Sequence, residues 1–207
     1  MIGILGYRGA VGKVVFNYLF ERYSIRCGGR KINKQEIINI CTVEYMSVDV
    51  YNDESLKKFC FGCDIIINCV GPSYFVSEKI LSIVETLGGS YVDAFGVNLF
   101  DLKKDYKIPI VVGAGSIPGL SGMLPAWVAQ KRKEKNIRIK IFAGGKEKIT
   151  KTACMDFLVS ILKEFGKSGM YYAENRIKRE IKEIALPTFF SKNALVFPYL
   201  TKELIQS

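Results

Sequence analysis

The chain opens on an apolar run, Ile2 to Leu5, followed at once by Gly6-Tyr7-Arg8-Gly9-Ala10-Val11-Gly12. No other feature restricts the fold as much as these three evenly spaced glycines. Glycine loses the most backbone freedom on folding, so three of them in one short turn mean that backbone must pass close to something. From Val11 to Tyr23, apolar residues recur at helical spacing: Val11, Val14, Val15, Tyr18 and Leu19. Strand, glycine turn and helix in this order form the setting of a dinucleotide-binding turn. Gly6 is expected to turn the chain off the strand, Gly9 to admit a pyrophosphate against the backbone, and Gly12 to let the helix lie close to the sheet. Tyr7, Arg8, Ala10 and Val11 complete the turn and the first helical residues, where free N–H groups and the positive dipole end suit phosphate.

Further along, short apolar runs alternate with helical stretches. Strands are expected at Ser24 to Cys27, Tyr45 to Val50, Asp64 to Val70, Tyr91 to Ala94 and Ile108 to Val112. The run DIIINCV is apolar enough for a strand buried on both faces of a parallel sheet. Ser77 to Leu87 reads as a helix closed by Gly88 and Gly89. The alternation predicts an α/β fold, a Rossmann-like doubly wound parallel sheet.

The end of the second strand decides which dinucleotide is expected. An NAD site places Asp or Glu there for the ribose 2′-hydroxyl, whereas this chain reads CGGRKINK from Cys27 to Lys34, with Arg30 and no acid. Arginine forks onto phosphate, so NADP(H) is expected in preference to NAD(H), with Arg8 as a second positive group. The formal charge of +10, from Lys+Arg 30 against Asp+Glu 20, favours anionic partners in general. The cations are interleaved with Glu, as in Lys131 to Lys135 and Asn175 to Glu183, which reads as solvated helix surface and not as a nucleic-acid stripe. The uncharged stretch from Ile108 to Gln130 is long enough for a bilayer, but Pro109, Pro118 and Pro125 break it, and no membrane span is expected. Six scattered cysteines and the lack of a charged leader suit a reducing cytoplasm.

Taken in order, GYRGAVG, GGR, DIIINCVGP and SYVDAFG resemble the cofactor domain of the saccharopine dehydrogenase-like reductases. GSIPGLSGMLP (Gly115 to Pro125) and the stretch from Gly144 to Phe157 are similar to the same family, with weaker echoes from Pro198 to Leu204. The family commonly carries a further glycine where Tyr7 or Arg8 stands, and its members are generally longer. The resemblance implies that Val70, Gly71 and Pro72 run beside the nicotinamide ribose, while the loops at Asp93 to Gly96 and Gly115 to Gly119 face the substrate. It also implies hydride transfer to or from an imine or carbonyl carbon of a small anionic substrate.

Histidine is absent, which removes the commonest general base and metal ligand. The catalytic candidates are therefore Asp93, Tyr74 and Ser116, with Ser73 or a bound water as further donors. Asn68 lies within an apolar strand and is better explained by packing or a backbone hydrogen bond. Cys60 and Cys63 form a C-x-x-C pair, but no second pair completes a zinc site, and the pair closes a helix where a redox pair would open one. No metal is expected.

Beyond about Lys131 the rhythm changes. The division expected is 1–131 for the dinucleotide domain and 132–207 for a partial α+β substrate or dimerisation domain, which leaves a homodimer open. Ile137 to Gly145 alternates apolar and basic residues like a half-exposed antiparallel strand, and Thr152 to Phe165 and Tyr171 to Ile184 read as helices. The alternative to an enzyme is an NADP(H)-binding redox sensor or remnant without turnover.

Overall fold

The first apolar run, Ile2–Leu5, is strand β1, and it lies at the centre of a six-stranded sheet. The computed structural model describes residues 1–32, 37, 40–101, 105–132, 137–144, 149–163, 165–174, 176–179, 186–191, 196 and 198–206. After β1 come α1 (Ala10–Leu19), β2 (Ile25–Gly29), β3 (Val43–Ser47), α2 (Asp53–Cys60), β4 (Ile65–Asn68), α3 (Ser73–Leu87), β5 (Ser90–Asp93), a 3-10 helix (Val97–Asp101) and β6 (Ile110–Val111). The strand order is β3-β2-β1-β4-β5-β6 and every pairing is parallel. This is the Rossmann-like doubly wound sheet that the alternation predicts.

Alternate residues of β1 feed opposite faces. Ile4 joins Phe16 of α1, Ile25 and Cys27 on one side, and Leu5 joins Leu56, Phe59, Ile66, Ile80 and Val84 on the side covered by α2 and α3. Each such side chain, fully withdrawn from water, stabilises by roughly 1.5–3 kcal/mol. The helices begin and end on local chemistry. Asn52 caps α2 by accepting the Ser55 N–H at 2.9 Å, with Asp53 and Glu54 in the first turn and Lys57 and Lys58 in the last, which suits the helix dipole. Arg26 of β2 pairs with Glu44 and donates to the carbonyls of Phe59 and Phe61 at 2.6 Å each, closing the far end of α2. α3 ends at Gly88, in the left-handed region at φ 76°.

The chain divides into two compact units, Met1–Gly115 and Ser116–Ser207. This assigns α4 (Leu120–Lys131) to the second unit, whereas the expected division at Lys131 assigns it to the first. The physical tie is Glu203 on α6 (Lys202–Gln206), whose carboxylate accepts the Gly119 N–H at 2.8 Å and the Ser121 hydroxyl at the start of α4. The second unit also contains α5 (Lys151–Leu162), β7 (Gly166–Ser168), β8 (Met170–Ala173), β9 (Arg176–Arg179) and β10 (Tyr199–Thr201). β10 pairs antiparallel with β7, and β8 with β9.

Two expectations for the second unit are corrected. Residues 137–144 form no strand, and Gly145 lies outside the described residues. A period-two pattern makes a strand only where a neighbour takes its backbone hydrogen bonds. Here Ile137, Ile139 and Ile141 stay between 37% and 40% exposed. The helix expected from Tyr171 to Ile184 is instead the β8–β9 hairpin, as far as its residues are described. Tyr171, Tyr172 and Ile177 favour strand, and Glu174, at φ 53°, reverses the chain between them.

Candidate functional site

The strand order reverses between β1 and β4, and in open α/β sheets ligands bind beyond the carboxyl ends of the strands at such a point. The walls of the crevice are Gly6 and Cys69–Val70. The Cys69 N–H donates to the Leu5 carbonyl and the Gly6 N–H to the Gly28 carbonyl, both at 2.9 Å. Gly6 has φ 77°, and a Cβ there would come 2.9 Å from the Cys69 carbonyl oxygen. Gly12 is tighter still: its Cβ would sit 2.2 Å from the Gly6 oxygen and 2.7 Å from the Tyr7 Cα. Both are glycine because the chain must pass close to itself. Gly9 differs. It is exposed, its N–H bonds the Gly6 carbonyl at 2.9 Å, and its Cβ would lie 3.2 Å from that oxygen, so its main effect is to keep the outer surface of the turn low.

Gly9 is the N-cap of α1, and it brings no side chain to the first-turn amides, nor does the first turn hold an acid. The N–H groups of Ala10, Val11 and Gly12 and the positive end of the dipole are thus suited to an anion. Arg8 of the same turn donates from Nη1 to the Lys31 carbonyl at 3.3 Å, which stretches its guanidinium across the end of β2. Arg30 is exposed there, and its carbonyl accepts the Ser47 hydroxyl at 3.0 Å. Lys34 lies outside the described residues.

Val70, Gly71 and Pro72 lead from β4 into α3 and are half-buried. The Val70 N–H donates to Asn68 Oδ1 at 3.0 Å, so Asn68 makes a backbone bond of the kind its position suggests. Tyr74, in the first turn of α3, sets its ring edge-on to Phe95 at 5.9 Å. Asp93, the last residue of β5, is 1% exposed. Its Oδ2 accepts from Ser77 Oγ and Tyr91 OH at 2.6 Å each and from Asn68 Nδ2 at 2.9 Å. Its Oδ1 accepts the Phe95 N–H at 2.9 Å. Burial, reinforced by the Asp93 charge, pushes the Tyr91 phenol well above its ordinary range. The carboxylate faces inward and ties α3, β4 and β5 to the loop that follows β5.

Ser77 and Tyr91 are the residues that sequence reasoning misses. One signal was available: Asn68 and Asp93 end neighbouring apolar strands and stand in register. The structure therefore brings Gly6 to Gly12 together with the Cys69–Val70 wall at the crevice, and Tyr74 together with the loop after Asp93. Ser116 is exposed and opens the second unit, where its carbonyl accepts the Ser121 N–H at 3.0 Å. Cys60 and Cys63 are buried free thiols between α2 and β4. Burial pushes the thiols of Cys27, Cys60 and Cys69 up to about 12, so all three stay protonated and unreactive at neutral pH.

The model of one family, described as the saccharopine dehydrogenase NADP binding domain, matches residues 2–108. No curated protein matches the chain. Among solved structures, an oxidoreductase from Lactococcus lactis is 25% identical over 44% of this chain and 46% of its own, with a TM-score of 0.40. The Citrobacter sp. triphenylmethane reductase complexed with NADP(H) is 17% identical over 46% of this chain and 37% of its own, with a TM-score of 0.40. A Rossmann-fold NAD(P)-binding family protein from Shigella flexneri is 19% identical over 44% of this chain and 49% of its own, also at 0.40. The chain spans less than half the length of each of these structures.

Proposed function

The chain belongs to the family of saccharopine dehydrogenase NADP-binding domains, and from that premise we propose that it is the cofactor-binding part of an NADP(H)-dependent oxidoreductase acting on an imine or carbonyl carbon of a small anionic substrate. The observation that carries the reading is the start of α1: an uncapped helix N-terminus without an acid, at the sheet's switch point, with Arg8 and Arg30 at the end of β2. That donor set fits a dinucleotide phosphate. The amides of Ala10, Val11 and Gly12 hold the pyrophosphate, Arg30 holds the 2′-phosphate, and Val70 to Pro72 border the nicotinamide half. Bound there, the cofactor supplies the hydride, so the chain's own task is placement and exclusion of water. Tyr74 and Ser116 are the proposed proton donors. Asp93 is proposed to act through its neighbours, as the residue that keeps the Val70 and Phe95 loops in place.

The test is direct titration of the chain with NADPH and NADH at low salt. NADPH binds at least about tenfold tighter, a difference of roughly 1.4 kcal/mol. Arg30→Ala removes most of that preference, and NADH affinity stays nearly level. Equal affinity for the two cofactors in the unmodified chain overturns the NADP assignment.

One observation favours a second reading, binding without turnover: the Asp93 carboxylate at the end of β5 is buried and engaged by four donors. The readings separate on NADPH consumption with imine- or carbonyl-bearing carboxylates. An enzyme consumes cofactor in proportion to substrate, and a sensor only binds it.

A further inference from the structure

α4 is built the wrong way round for a helix that faces water. Its buried residues are Ser121 and Gly122. On that side the Glu203 carboxylate accepts the Gly119 N–H at 2.8 Å and the Ser121 hydroxyl, and a Cβ on Gly122 would lie 3.1 Å from Glu203 Oε2. α6 therefore packs directly on the small, polar side. Leu120, Met123, Leu124 and Trp127 stay 54%, 70%, 43% and 57% exposed. Their spacing is i, i+3, i+4, i+7, the apolar stripe that a surface helix normally turns inward.

Charge and symmetry indicate what covers the stripe. From Ile108 to Gln130 the sequence has no charged residue, in a chain whose formal charge is +10. Two such chains repel over most of their surface, and an uncharged stripe is where they meet without setting cation on cation. The intervals between the four positions are three, one and three, which read the same from either end. A two-fold axis through the middle of the stripe lays two α4 helices antiparallel, with Leu120 against Trp127 and Met123 against Leu124. The helix dipoles then oppose, and Lys131 at the end of one helix comes within about one turn of the start of the other, where Glu203 is held. α5 also exposes Leu158 and Leu162, but it has a lysine at each end, Lys151 and Lys163. The same reversal there sets cation against cation.

We propose that α4 is a homodimer contact, in which Leu120, Met123, Leu124 and Trp127 pack on the same four residues of a second copy about a two-fold axis. The proposal is independent of the cofactor reading. Counted over both copies, the contact removes on the order of 1,000 Å² from water, the low end for a specific interface, so the dimer dissociates on dilution. Trp127 is its largest anchor.

Trp127 is the chain's only tryptophan, so its emission reads the contact directly. Sedimentation equilibrium and tryptophan emission are followed from about 1 μM to about 1 mM for the full chain, Met123→Glu, Leu124→Glu, Leu158→Glu and Lys131→Glu. All four positions are exposed on helices, and far-UV circular dichroism checks that each variant folds. The parent passes from monomer to dimer as concentration rises, and its emission moves to the blue over the same range. Met123→Glu and Leu124→Glu bring carboxylates together at the axis, so both stay monomeric with emission to the red. Leu158→Glu on α5 dimerises like the parent. Lys131→Glu weakens the dimer roughly threefold to tenfold at low salt and less at high salt. A parent chain that is monomeric at every concentration overturns the proposal. So does a dimer that the two α4 variants leave intact or that Leu158→Glu abolishes. Blue emission in a monomer, which means that the chain's own residues cover Trp127, overturns it as well, and growth past the dimer overturns the two-fold arrangement.

Discussion

The two loops that meet at the switch point are finished in opposite ways. At the glycine turn, α1 starts with no side-chain cap and no acid, and two arginines stand nearby on the surface. At the ends of β4 and β5, one buried carboxylate takes four donors drawn from Asn68, Ser77, Tyr91 and Phe95. The first region puts no capping side chain and no acid on its helix-start donors, and the second uses its donors to hold the chain itself. A satisfied buried network is stiff, and an unsatisfied surface of like polarity is a binding site. The crevice needs both: a rigid wall and an open one.

The largest effect comes from breaking the satisfied side. Asp93→Ala removes the acceptor of the Ser77 hydroxyl and of the Phe95 amide, and leaves Asn68 Nδ2 only the Tyr91 hydroxyl at 3.2 Å and Tyr91 only the Ser77 carbonyl at 3.5 Å among the described residues, at about 1–3 kcal/mol for a buried donor that loses its partner. Urea denaturation of this variant should show a loss of at least about 3 kcal/mol. A loss below about 1 kcal/mol would mean that the network is not what holds the wall.

Next come the two glycines that look alike in sequence and differ in surroundings. Gly12→Ala drives a Cβ into backbone, with the Gly6 oxygen 2.2 Å away, and should cost roughly 1–3 kcal/mol of stability as well as dinucleotide binding. Gly9→Val meets only a 3.2 Å contact on an exposed turn. It should keep most of the stability, losing no more than about 1 kcal/mol for a poorer N-cap. Its dinucleotide affinity should nevertheless fall at least tenfold, about 1.4 kcal/mol. Paired denaturation and titration measure both quantities. The reverse pattern, with Gly9 stabilising the fold and Gly12 dispensable, would erase the distinction between the two glycines.

The smallest effect is in alkali. Tyr91 is raised in the fold, first by burial and then by the Asp93 charge. A group with a raised folded pKa contributes stability that is whole below its ordinary value, near 10 for a phenol, and is lost as pH rises past it. Cys27, Cys60 and Cys69, raised from 9.0 to about 12, act in the same direction. Stability should therefore hold level through neutral pH and decline above about pH 9–10. Tyr91→Phe should cost about 1 kcal/mol at neutral pH for the lost hydrogen bond, and should flatten part of the alkaline decline. An unaltered alkaline slope in that variant would show that the phenol does not titrate against the network.

Much of the first unit is legible without coordinates, because its information is local. The strand–turn–helix order, the runs that become β1, β4 and β5, the close of α3 at Gly88 and the missing acid after β2 each depend on residues adjacent in the chain. Two limits show where local reading stops. Tyr171 to Ile184 carries residues that suit a helix on charge spacing, yet part of it pairs as a hairpin through a left-handed Glu174. Asp93 reads as a candidate relay from its loop, and only its surroundings reveal that its oxygens are occupied.

The sequence by itself determined that the chain forms a parallel α/β sheet with a glycine turn between its first strand and first helix, because periodicity and glycine spacing act over a few residues. Only the tertiary structure decided what each polar group does. It separated Gly12, closed against the Gly6 backbone, from Gly9, open to the surface. It brought Ser77, Tyr91 and Asn68 from three elements onto one carboxylate. The physical reason is that burial and hydrogen-bond satisfaction depend on neighbours far apart in the chain, which no local spacing records.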